Sequence, residues 1–91
     1  MICKRCLVSG QVQGVYFRGS AARVAASLGV TGHARNLADG RVDVLVCGPD
    51  EAVERFISWL WEGPSAARVT AVQVESTEGP AGGPPAQFTT G

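Results

Sequence analysis

The chain has 91 residues, enough for a single domain built around one modest core. An apolar fraction of 45% is that of an ordinary globular protein and argues against disorder. Eight Lys and Arg balance eight Asp and Glu, and the arginines are scattered, so the basic footprint of a nucleic-acid binder is missing.

No apolar run approaches the length of a membrane span, and Met1-Ile2-Cys3-Lys4-Arg5 lacks the apolar core of a signal peptide. The expectation is therefore a cytoplasmic monomer that binds neither nucleic acid nor membrane. Three cysteines are too few, and too odd in number, for a disulfide framework. Residues 2–9 are apolar and rich in strand formers, so they read as the first strand.

Gly10-Gln11-Val12-Gln13-Gly14-Val15-Tyr16-Phe17-Arg18 follows and leads into a helix. Two glycines free the backbone for a concave loop, whose successive N–H groups form an anion-binding nest. The helix start adds unsatisfied N–H groups and the positive end of its macrodipole. Arg18 adds a planar charged fork suited to phosphate oxygens. Spacing alone fits equally well a plain strand-to-helix turn whose arginine points into water.

From Phe17 onward, Ala21, Val24, Ala25 and Leu28 make the apolar stripe of an amphipathic helix, and Gly29 suits its C-terminus. Val30–Asn36 and Arg41–Cys47 read as two strands paired across the turn signal Asp39-Gly40. Pro49 suits the first turn of a second helix, with Asp50 and Glu51 complementing its dipole. Val53, Phe56, Ile57 and Leu60 form its stripe, flanked by Trp59 and Trp61 as packing residues, and Gly63-Pro64 ends it. Val69–Glu75 is a fourth strand. Residues 76–91 form a Gly/Pro-rich tail with at most a short edge strand.

The order βαββαβ predicts an α+β domain over residues 1–91, the ferredoxin-like split βαβ arrangement: an antiparallel sheet with both helices on one face. That fold serves enzymes, metal carriers, regulatory binding modules and RNA binders alike. RNA binding would need exposed aromatic residues on the central strands, and neither carries a pair. Met1-x-Cys3-x-x-Cys6 has the spacing of a soft-metal carrier. Within a strand, however, positions i and i+3 point to opposite faces, and His33 has no partner at ligand spacing. No metal site and no cofactor are expected.

The enzyme alternative joins the loop to Asn36, the chain's only asparagine. A turn asparagine can merely cap local backbone, but its amide can also donate to and accept from one water, aiming it at an electrophile without taking up charge. The stretch Gly10–Arg18 resembles the G-x-V-Q-G-V-x-F-R signature of acylphosphatases. Gly32-His33-Ala34-Arg35-Asn36-Leu37-Ala38-Asp39-Gly40-Arg41-Val42 resembles their second signature, G-x-x-x-N-x-x-D/E-G-x-V. The resemblance spans about residues 3–75. It implies hydrolysis of small-molecule acyl phosphates, with Arg18 and Asn36 as the catalytic pair and the N–H groups of Gln13, Gly14, Val15, Tyr16, Phe17 and Arg18 as the phosphate cradle. Inorganic phosphate would then be product or inhibitor. The sequence departs from the family pattern at His33, where an aromatic residue is common beside the site, and in a weak final strand, Phe88-Thr89-Thr90-Gly91. The same domain also occurs within larger carbamoyl-transferring maturation proteins.

The implied chemistry asks little of the protein. A carboxylate leaves unaided near neutral pH, in keeping with a loop that holds no acid or histidine. A phosphocysteine route would need a cysteine six residues before Arg18, where Val12 stands. Direct attack by water follows.

Strand parity also sorts the cysteines. Cys3, Arg5 and Leu7 share one face of the first strand, and Cys6 and Val8 the other. On the third strand Val42, Val44 and Val46 should face the helices, leaving Leu45 and Cys47 opposite. In this topology the two strands are antiparallel neighbours, so Cys3 and Cys47 can form a cross-strand disulfide while Cys6 stays a buried thiol; a reducing cytosol would instead keep the pair open and leave three inert thiols.

Overall fold

β1 (Ile2–Gln11), α1 (Phe17–Leu28), β2 (Thr31–Asn36), β3 (Val42–Gly48), α2 (Asp50–Glu62), β4 (Arg68–Thr77) and β5 (Phe88–Thr90) follow one another along the chain. The structure, a computed structural model, describes residues 1–79 and 82–90; the parts of the expected tail at Pro80, Ala81 and Gly91 lie outside them. The sheet runs β4-β1-β3-β2-β5. Its first four strands are antiparallel, as the split βαβ arrangement requires. β5 pairs parallel to β2, which makes the five-stranded sheet mixed rather than wholly antiparallel.

That parallel strand follows from where the chain leaves β4. Thr77 lies opposite Cys3, at the end of the sheet where β1 begins. Gln87 and β5 run back along β2 from that end, with Gly32 N–H donating to Gln87 O at 3.3 Å. Consequently β1, β2 and β5 run in one direction and end at the same rim.

Two helices cover one face. Cys6, Val8, Val42, Val44 and Val46 are fully buried beneath Ala21, Ala25, Val53, Phe56 and Leu60. Burial of each larger side chain here contributes about 1.5–3 kcal/mol. Rings close the ends of this layer: Trp59 packs 5.6 Å from Phe17 and Phe88 packs 5.5 Å from Phe56, centroid to centroid. Trp61 does not join them; it falls outside the stripe and is 52% exposed. Gly29 closes α1 at φ 73°, its N–H donating to Ala25 O. Pro49 caps α2 from just outside rather than opening its first turn, and Asp50 and Glu51 occupy that turn.

The other face bears a small second cluster of Cys3, Leu45 and Cys47. Cys3 and Cys47 are register partners and are joined by a disulfide, whereas Cys6 is a free buried thiol. Gly79 crosses above them so closely that a Cβ there would stand 3.0 Å from Cys3 Sγ. Beside the disulfide, the buried carboxylate of Asp43 accepts from Arg5 Nε at 3.0 Å. His33 Nε2 lies 3.6 Å from its other oxygen. Burial and the nearby Arg35 push the His33 ring below its ordinary pKa, outweighing the pull of Asp43.

Candidate active site

The rim where β1 and β2 end is where the two motifs meet. Val8 and Asn36 are both register partners of Val42, so Asn36 stands in one cross-strand row with Val8, three residues before the end of β1. The β1–α1 loop, residues 12–16, rises beside it.

Each residue of that loop has a distinct local cause. Gly10, expected to shape the loop, belongs instead to β1. It sits at a register shift against β4, and a Cβ there would collide with the Arg68 carbonyl. Its φ of 122° serves the sheet. Val12 is buried, which anchors the loop's start in the core. Gly14 takes the left-handed turn at φ 75°, with open space where a side chain would stand. Val15 packs back against the core.

Tyr16 is the only described non-glycine residue at positive φ, 61°, and is the N-cap of α1. Its side chain caps nothing, and no acidic residue lies in the first turn. The first intrahelical bond is Ser20 N–H to Tyr16 O at 3.1 Å. The N–H groups of Phe17, Arg18 and Gly19 are therefore without helical partners at the positive end of the helix dipole. Gly19 leaves room for the Tyr16 ring, which a Cβ would strike.

A cleft of about 390 Å³ opens at this rim, lined by Val12, Gly14, Tyr16, Phe17, Arg18, Gly19, Asn36 and Thr90. It unites Arg18 and Asn36 with three more of the expected cradle residues, Gly14, Tyr16 and Phe17. Gln13 and Val15 are not among its lining residues. Among the described residues no carboxylate lies within ion-pair distance of Arg18. Thr90 went unnoticed in the sequence, because its place depends on β5 adding to the far edge of the sheet.

Gln13 does something its motif position does not announce. Its side-chain amide donates to Leu37 O at 2.8 Å and to Arg41 O at 3.0 Å, tying the loop to the β2–β3 hairpin. His33 lies on the helix-free face beside Asp43 and does not line the cleft, so the departure there leaves the cleft wall unchanged.

A larger hollow of about 680 Å³ lies elsewhere, among Met1, Lys4, Asp50, Glu54, Thr77 and neighbours. It shares no residue with the cleft and mixes charges of both signs. The metal-carrier spacing does not bring its thiols together. Cys3 is bonded to Cys47 on one face, and Cys6 is buried on the other. Among the described residues no group of three or more His, Cys, Asp or Glu converges. Among them, too, no helix is long and apolar enough to cross a membrane.

A model of the family described as Acylphosphatase matches residues 4–89. The chain is 52% identical over 89 residues to an acylphosphatase of Chromohalobacter salexigens, spanning 98% of this chain and 96% of that one. It is 55% identical over 87 residues to an acylphosphatase of Halorhodospira halophila, spanning 96% and 91%. Among solved structures, an acylphosphatase from Coxiella burnetii superimposes with a TM-score of 0.90 at 36% identity, over 98% of this chain and 90% of the other.

Proposed function

The chain belongs to the acylphosphatase family and hydrolyses acyl phosphates, and on that premise we propose that the loop from Gln13 to Arg18 holds the phosphoryl group while Asn36 directs the attacking water. The observation that carries this assignment is the shared cleft, in which Arg18, Gly14 and the start of α1 face the same space as Asn36.

In this scheme the loop N–H groups and the Arg18 fork bind the non-bridging phosphoryl oxygens. They stabilise the charge that gathers there as the bond to the acyl oxygen breaks. The Asn36 amide holds a water in line with that bond. A bond forms from the water oxygen to phosphorus, the acyl oxygen departs with its electron pair as carboxylate, and the water protons remain with phosphate and solvent. A carboxylate leaving group needs no acid, so none is assigned. Val12 stands where a phosphocysteine mechanism would place its nucleophile, which favours direct hydrolysis.

The proposed reaction uses one copy of the chain, in the cytoplasm, without metal or organic cofactor, and releases inorganic phosphate. An assay of an aromatic acyl phosphate beside a simple phosphate monoester tests the substrate class. Turnover of the first alone, undiminished by a chelator, is expected. Loss of activity on chelation, restored by one added metal, would overturn the metal-free scheme.

A further inference from the structure

The side chain of Gln13 bonds neither to its own loop nor to the helix beside it. Its acceptors lie 24 and 28 residues away in sequence, at Leu37 O and Arg41 O. These two carbonyls belong to the two ends of the hairpin turn, where Leu37 N–H also donates to Arg41 O at 2.8 Å. Leu37 directly follows Asn36. The turn is closed from its far side by Asp39, which accepts from Arg41 N–H at 3.1 Å and from Arg41 Nε at 2.9 Å. One amide NH₂ group thus spans the base of the turn with both of its hydrogens. With two carbonyl oxygens as partners, only the nitrogen of the amide can face them, so the orientation is fixed by chemistry.

From this geometry we propose that Gln13 is a positioning residue: its side chain locks the β2–β3 hairpin to the β1–α1 loop and so sets where Asn36 stands relative to Arg18. It touches no reacting atom, and its backbone N–H remains in the proposed cradle whatever its side chain. β1 and β2 are separated by β3, so no ladder hydrogen bond joins their ends directly. Gln13 supplies a direct link between the two motifs at the rim. The inference rests on the assignment of Asn36 to the water and Arg18 to the phosphate. An in-line reaction tolerates displacement poorly, since a misplacement of about 1 Å can cost about 10²-fold in rate.

Gln13→Met keeps length and removes both donors. Its kcat on an aromatic acyl phosphate should fall roughly 10- to 100-fold. Affinity for inorganic phosphate, read by calorimetry, should stay within about twofold, because the cradle is untouched. In an Asn36→Ala background the same substitution should cost almost nothing further, because there is no amide left to position. A Gln13→Met loss equally large in both backgrounds, or one that tracks phosphate affinity, overturns the proposal. If Asn36→Ala alone leaves kcat intact, the role of Asn36 fails instead, and the two failures are distinguishable. Gln13→Glu gives a second readout. A carboxylate facing two carbonyl oxygens repels both, whereas its protonated form can donate to one. The activity of Gln13→Glu relative to the unaltered protein should therefore rise as pH falls. A constant ratio across pH would count against the donor role.

Discussion

Removing the Cys3–Cys47 disulfide should destabilise the fold heavily without touching catalysis. The two cysteines are separated by 44 positions. For a closed loop of that length the chain-entropy relation gives about 4 kcal/mol of lost constraint on the unfolded chain. Against the roughly 5–15 kcal/mol that holds a domain folded, this is a large fraction. In a domain of this size it corresponds to a fall in Tm on the order of 15–30 °C. Cys47 is fully buried and Gly79 crosses above the pair, so reductant reaches the bond slowly in the native state. Cys3→Ala/Cys47→Ala is therefore the cleaner perturbation, read by urea unfolding against the oxidised protein. The disulfide stands where β1 begins and the cleft where it ends, about 26 Å apart along an extended strand. Consequently kcat should stay within about twofold. A stability loss below about 1 kcal/mol would refute the cross-link reasoning. A parallel loss of kcat in fully folded protein would refute the separation of the two ends.

Cys6 lies under the helices, and burial pushes its thiol up to about 12, so native protein should resist alkylation there at neutral pH while urea-unfolded protein reacts; mass mapping decides. His33 is held toward its neutral form by burial and by Arg35, against the opposing pull of Asp43. The unfolded chain therefore takes up this proton first, and stability should fall as pH drops below the ordinary value of 6.5. His33→Gln should flatten that fall in urea titrations, and an unchanged slope would exclude His33 as its source. Inorganic phosphate should raise Tm, its added stabilisation reaching about 2.7 kcal/mol at a hundred times its Kd, if it binds only the native cleft. A thermal scan that ignores phosphate would deny the site an anion.

The parts of the fold legible in the sequence are those written in local periodicity. Alternation placed Val42, Val44 and Val46 under the helices and sent Cys6 inward, and parity together with the strand order brought Cys3 to Cys47. Features that depend on distant neighbours left no local mark. β5 is three residues long, and its position rests on β2 and on Phe88 meeting Phe56. Thr90 reaches the cleft only through that strand. The positive φ of Tyr16 could not be read from a residue type that rarely adopts it. Gly10 misled in the opposite direction, because a glycine beside a loop serves close approach of backbones as readily as it serves a turn. Gln13 was legible as part of a motif, while the two carbonyls its side chain reaches were not.

The division of labour in the cleft stands or falls most directly on Arg18→Ala. Its far-UV and near-UV spectra should match those of the unaltered protein, since the side chain is half-exposed and makes no ion pair among the described residues. Its kcat/KM on an acyl phosphate should drop roughly 10²–10³-fold or more, as when one oxyanion donor is lost, and Arg18→Lys should recover little, because an ammonium lacks the bidentate fork. A folded Arg18→Ala protein that hydrolyses acyl phosphate at the original rate would contradict the account.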